Sequence, residues 1–128
     1  MEQSRDIIIN DILLVIELVK TQIIWKHQKA EIHLKKRIAR KHLPPNCTID
    51  GYEFIILSVI NKSDAQLYLY QYNNSIYPTI VAMYKDYLWL VMFNMEGIME
   101  TAFPPDNPTS CLSQLSFKYL GVLKELKS

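Results

Sequence analysis

His33, Arg37 and Arg40 stand four and three residues apart, so on a helix they share one face, with Lys41 close beside them. A titratable imidazole next to permanent cations suits a phosphodiester. Histidine can move a proton near neutral pH, and a guanidinium can grip two phosphate oxygens and stabilise charge gathering on phosphorus. That chemistry requires no metal. The trio belongs to a wider basic run: Lys26 to His42 holds seven cations against the single acid Glu31, a net +6, while the remaining residues sum to −5. Such a segment is built to meet a polyanion, RNA above all, unless it is only a solvated helix face. Lys35, Lys36, Lys41 and His42 are the further RNA-contact candidates within it.

All three histidines, His27, His33 and His42, lie in this run. His42 falls at the end of the helical pattern, where a capping role at the negative end of the dipole competes with chemistry. His27 is off the stripe of His33. With Glu31 as the only nearby carboxylate, a zinc site is not expected. Two cysteines, Cys47 and Cys111, allow neither a disulfide framework nor a cysteine-rich metal centre, which fits a reducing compartment. Three glycines are too few for a phosphate-cradling loop of the nucleotide-cofactor kind, and no cofactor is expected. The sheet region offers hydroxyls and rings: Tyr68, Tyr70, Tyr72, Tyr77, Tyr84 and Tyr87 can pack in a core or stack on bases. Tyr84 and Lys85 end one strand pattern, and Thr101 lies in another.

These groups must be positioned by the elements around them. Ile8, Ile12, Val15, Ile16, Val19 and Ile23 recur at three- and four-residue spacing, which predicts an amphipathic helix over Asp6 to Trp25. Its apolar face is wide enough for the core or for self-association, so a homo-oligomer through residues 7–25 is one expectation. Asn10, Asp11, Glu17, Lys20, Thr21 and Gln22 interrupt the run and are expensive in lipid, so no membrane span is expected. Met1 to Asp6 is not basic and no small-residue cleavage site follows, so the expectation is a soluble, cytoplasmic protein. The helical pattern resumes or continues through Ala30, Leu34 and Ile38 and stops before Pro44-Pro45.

Asp50 and Glu53 have capping-box spacing ahead of a short helix that ends near Asn61. Beyond Ala65 the period falls to two. Strands are predicted at Gln66 to Tyr72, Ile76 to Lys85, Tyr87 to Asn94 and Ile98 to Phe103, with Asn73-Asn74-Ser75 and Met95-Glu96-Gly97 as turns. Thr109 to Leu115 reads as a helical turn, and Phe117 to Val122 as either a short strand or part of a terminal helix. The expected fold is a single α+β domain: an N-terminal helical part over 1–43, a short helix over 50–61, a four-stranded antiparallel meander over 66–103, with a fifth strand if the tail joins it, and a tail element over 104–128.

Read together, HLKKRIAR from His33 to Arg40, the strand Gln66 to Tyr72 and LWLVMFNMEGIMETAF from Leu88 to Phe103 resemble a broad superfamily of metal-independent ribonucleases. It takes in barnase, EndoU, the tRNA-cleaving colicins and RelE-type toxins. The resemblance covers roughly Glu31 to Pro105. It implies an endoribonuclease, plausible as a toxin of a toxin–antitoxin or conflict system with a cognate antitoxin or immunity protein. It casts His33 as the helix-borne proton-transfer residue, Arg37 and Arg40 as phosphate-binding cations and Thr101 as the late-strand hydroxyl, with Tyr84 a looser catalytic candidate; Lys85, beside Tyr84, is a further RNA-contact candidate. A net charge of only +1 and the long apolar N-terminal helix depart from that pattern. The alternative is a non-catalytic module whose basic helix binds nucleic acid or an acidic partner.

Overall fold

The computed structural model describes residues 2–127, with side chains from residue 7 onward. Its elements are α1 (Glu2–Thr21), β1 (Ile24–Trp25), α2 (Lys29–Ala39), α3 (Ile49–Ile60), β2 (Gln66–Tyr72), β3 (Ser75–Tyr84), β4 (Tyr87–Phe93), β5 (Ile98–Phe103), α4 (Pro108–Leu112), β6 (Phe117–Val122) and α5 (Leu123–Leu126). The expected α+β domain with helices ahead of a meander is present. Two additions change the sheet. It has six strands in the order β1-β5-β4-β3-β2-β6, and β1 runs parallel to β5, so the sheet is mixed rather than purely antiparallel.

α1 ends at Thr21, four residues short of the predicted end. Ile24 and Trp25 suit a pleated surface better than a helix, and they pair with Ile98 and Met99 at the sheet edge. The buried stripe of α1 is Ile9, Ile12, Val15, Ile16 and Val19, while Ile8 is exposed. This stripe meets Tyr52, Ile56, Val59 and Ile60 of α3 and the Ile80, Val91, Phe93 and Ala102 face of the sheet in one core. Ile7, Leu14 and Leu18 stay exposed on the outer side. No described helix is long and apolar enough to cross a membrane.

The cap of α3 differs from the predicted box. Thr48 is the N-cap, its Oγ1 accepting from the Gly51 N–H at 3.1 Å, while Glu53 turns aside to accept from the Trp25 indole N–H at 3.0 Å. A carboxylate with a half-buried indole donor in reach is better satisfied there than on a solvated backbone N–H. Thr48→Ala is therefore expected to cost about 1 kcal/mol, and Asp50→Ala less. Urea midpoints of the two variants check the order, and an equal or larger loss at Asp50 would restore the box.

The hairpins follow local chemistry. Asn73 and Asn74 both take positive φ, 49° and 65°, as a two-residue turn demands, so Ser75 pairs with Tyr72 instead of joining the loop. Gly97 has φ 83°, and the Asn94 carboxamide oxygen accepts from the Glu96 and Ile98 N–H groups to lock that turn.

The tail resolves as a strand. β6 pairs antiparallel with β2, at the end of the sheet opposite β5. The connection from Phe103 to Phe117 must therefore cross the sheet face that the long helices leave open. Cys111, Leu112 and Phe117 of this strap cover Val81, Leu90 and Met92 in a second, smaller core, with Tyr68, Tyr70 and Tyr77 packed around it. The β2 tyrosines differ in exposure: Tyr72 is exposed, whereas Tyr68 and Tyr70 are half-buried.

Candidate active site

The outer edge of β5 carries the site. β1 covers it only at Ile98 and Met99, so the stretch from Glu100 to Phe103 has no strand beyond it, and α2 packs alongside. The register to β4 also slips here: Met92 pairs with Thr101 but Phe93 pairs with Met99, leaving Glu100 as the extra residue of a bulge. Bulges of this kind re-aim side chains and interrupt a ladder. Thr101 sits at that slip, and His33 reaches it across sixty-eight residues of sequence, with Nδ1 3.5 Å from the Thr101 Oγ1.

The imidazole is braced from behind. Trp25 lies beside it with ring centroids 5.5 Å apart, and the indole also stacks on Tyr52 at 5.7 Å. Trp25 is held by Glu53, and Tyr52, fully buried, donates its hydroxyl to the Ala102 carbonyl of the same edge stretch. Burial holds the Tyr52 phenol well above its ordinary pKa, so it stays a donor. Helix α3 and strand β5 thus hold the ring through Trp25 and Tyr52.

Arg37 departs from expectation. It is only 5% exposed, its guanidinium carbon stands 5.3 Å from the centre of the Phe103 ring, and its Nε is buried with no hydrogen-bond partner. Its Nη1 lies 3.3 Å from the His42 Nδ1, an arrangement in which the guanidinium donates and the imidazole accepts. No carboxylate among the described residues pairs with it; both described ion pairs gather on Glu17 of α1. Arg37 is therefore a fixed buried charge behind the site, not an open fork for phosphate.

Burial lowers the pKa of His33 below its ordinary 6.5, and the cations Lys36, Arg37 and Lys29 lower it further. Burial and Arg37 lower His42 as well, with Asp106 opposing them and Arg40 adding to them. Both imidazoles are thus biased toward the neutral form by burial and by the cations around them.

The remaining candidates divide. Arg40 is no longer on the helical stripe: α2 stops at Ala39, Arg40 is its C-cap, and Lys41 turns left-handed at φ 63°. Arg40 and His42 instead face Phe103, Pro105, Asp106 and Ser110 across a groove of about 330 Å³ between the end of α2 and the strap. Lys35, Lys36 and Lys41 are exposed, and none has an acidic partner in the described ion pairs. Tyr84 and Lys85 lie elsewhere. Tyr84 pairs with Tyr87 at the β3–β4 hairpin, whereas Thr101 pairs with Met92, five residues along β4 or about 17 Å away. The Lys85 ammonium rests over the Tyr84 ring at 5.6 Å, beside a different groove.

Trp25, Glu53, Tyr52 and Phe103 were invisible as site residues in the sequence. Each looks like ordinary core or helix surface, and only long-range packing brings it to the imidazole or the guanidinium. Among the described residues no group of three or more His, Cys, Asp or Glu side chains is arranged to hold a metal ion. No protein-family model, curated protein or solved structure matches this chain.

Proposed function

We propose that the protein is a small endoribonuclease that cleaves RNA by attack of the 2′-hydroxyl on its own phosphate, and that the positive face of α2 holds the RNA. The observation that carries this reading is the convergence of His33 and Thr101 at the bulged edge of β5, with a carboxylate-free guanidinium buried behind them. A separation of 3.5 Å is long for a working hydrogen bond, but such contacts tighten when substrate arrives.

The roles follow from the donor inventory. With its proton on Nδ1, His33 donates to the Thr101 oxygen, which fixes the ring and leaves Nε2 free as the base. Thr101 then still has its own O–H to offer a non-bridging phosphate oxygen. His33 takes the 2′-hydroxyl proton, the 2′-oxygen bonds to phosphorus, and the 5′-oxygen leaves and is protonated from solvent. Arg37, a fixed positive charge that His33 already feels, stabilises the added charge from behind the site. The products are a 2′,3′-cyclic phosphate and a 5′-hydroxyl end. Arg40, Lys35, Lys36 and Lys41 hold the flanking phosphates. Incubation of labelled RNA in the presence of a chelator, with analysis of the new ends, tests this directly. A 3′-hydroxyl with a 5′-phosphate, or a complete dependence on divalent ions, would overturn it.

A base whose pKa is lowered sets the pH profile. Cleavage is expected to be on its plateau at pH 7 and to fall tenfold per unit once the pH drops below the depressed His33 value, itself under 6.5. Stability moves the same way. Folded His33 and His42 resist protonation more than the unfolded chain does, so their contribution is complete above pH 6.5 and is lost as the pH falls through their folded values. Unfolding titrations between pH 5 and 8 check the sign, and a protein more stable at pH 5.5 than at pH 7.5 would contradict it.

A second reading is supported by the unpaired cations of α2 alone: a module that binds RNA without cutting it. Salt-sensitive RNA retention with intact product RNA, weakened by changes at Lys35, Lys36 and Arg40 but not at His33, is its signature. A toxin role with an antitoxin or immunity partner, and a cytoplasmic location, belong to the first reading and stand or fall with it.

A further inference from the structure

α1 buries one apolar stripe and leaves a second one in water. Ile7, Leu14 and Leu18 are 62%, 68% and 59% exposed, and Ile8 beside them is 38% exposed. Spacings of seven and four residues set the first three along one face, on the side away from the buried Ile12, Ile16 and Val19. A lone exposed aliphatic needs no partner, but a contiguous group of them on one helix marks an interaction surface. Next to this ridge lies a hollow: a cleft of about 610 Å³ between α1 and the end of α5, lined by Asn10, Leu13, Leu14, Glu17 and Lys127. Leu14 is both the crest of the ridge and a wall of the cleft. Ridge and hollow on one face are the shape that a self-complementary contact uses, each copy filling the other.

Charge is divided across the same face. The Glu17 carboxylate holds the Lys20 ammonium at 3.4 Å and the Lys127 ammonium at 3.8 Å, so two cations share one acid. Asp11 is exposed, and among the described residues no cation pairs with it. Three residues of helix fall about 60° short of a full turn. Asp11 and Glu17, three residues before and after Leu14, therefore stand on opposite flanks of it at equal distance. A two-fold axis through Leu14, perpendicular to the line from Asp11 to Glu17, sets the Asp11 of each copy over the cation-rich cluster of the other.

We propose that the outer face of α1 is the contact of a two-fold homodimer, with Leu14 packed against its counterpart at the centre and Asp11 of each copy on the Glu17–Lys20–Lys127 cluster of the other. A purely basic partner would be repelled by the paired ammoniums, and a purely acidic one by Asp11; a copy of the same face supplies both signs in the matching order. The self-association expected of residues 7–25 is thereby narrowed to one face and one centre. One helix face per copy falls below the roughly 800 Å² a side of a standard interface, so the dimer is weak and concentration-dependent. It is independent of the ribonuclease reading.

Sedimentation equilibrium of the full chain from the micromolar to the millimolar range tests the contact. The mass is expected to rise from 15.0 kDa towards twice that value and to stop there. Leu14→Glu, at an exposed position, should stay monomeric throughout with an unchanged thermal midpoint at low concentration. Asp11→Lys should weaken the dimer by at least about tenfold, and adding Lys127→Glu, which reverses the excess charge of the cluster, should restore most of the loss. A parent that remains monomeric at every concentration, a mass that climbs beyond the dimer, or a dimer unaffected by Leu14→Glu overturns the proposal. Loss at Asp11→Lys without rescue by Lys127→Glu overturns the two-fold arrangement it describes.

Discussion

His33→Ala is expected to lower RNA cleavage by about 10²–10⁴-fold at pH 7 while leaving RNA binding within a few-fold of the parent. The imidazole is the only described group that combines a depressed pKa with contact to the Thr101 hydroxyl, so its removal deletes the base and leaves the cations of α2 untouched. Stability should change little, because the ring is half-buried and Trp25 keeps its contacts with Tyr52 and Glu53. His33→Gln keeps a polar side chain of similar reach without a titratable proton, and it should fail equally. Thr101→Val should cost less, about tenfold to a hundredfold, because it removes one donor and no proton acceptor. Cleavage by His33→Ala within threefold of the parent would move the base elsewhere, with His42 the next residue to change.

Arg37→Met should lower cleavage by about 10²–10³-fold and leave the protein no less stable, with a gain of about 1–2 kcal/mol expected. A guanidinium at 5% exposure with an unsatisfied Nε and no carboxylate carries a desolvation cost that its neighbours only partly offset. The contact with the Phe103 ring returns about 2 kcal/mol, and the bond to His42 returns less because half-buried His42 can turn to water. Methionine fills similar volume on the same aromatic surface without the charge. Opposite signs for activity and stability are characteristic of a residue kept for chemistry. Chemical denaturation alongside initial cleavage rates measures both. A loss of 3 kcal/mol or more would make Arg37 a structural residue and remove its place behind the phosphate.

Much of the fold was legible because its signals are local. The spacing of Ile12, Val15, Ile16 and Val19 declares a helix, and the change from a period of 3.6 to a period of 2 at Ala65 marks where helices give way to strands, whereas α2 ends at Ala39, ahead of the proline pair expected to stop it. The pairing of Asn73 with Asn74 and the positive φ of Gly97 settle two hairpins within a few residues of chain. What failed was decided by partners far away. Ile24 and Trp25 look like the end of a helix until β5 is beside them, and Phe117 to Val122 has no evident preference until β2 offers a free edge.

The basic stripe of residues 26–42 follows the same division. Its composition, its helical core and the presence of His33 within it were determined by the sequence alone, since charge and periodicity are properties of the chain read in order. Tertiary structure decided everything that gives the stripe a direction. Packing α2 against the uncovered part of β5 buries Arg37, sends Arg40 to a neighbouring groove, sets Trp25 behind His33 and leaves Tyr84 at the far hairpin. The reason is physical: side-chain spacing says which residues share a helix face, but burial and pKa depend on what that face meets. Here it meets the bulged edge at Glu100 and Thr101, which no local pattern announces.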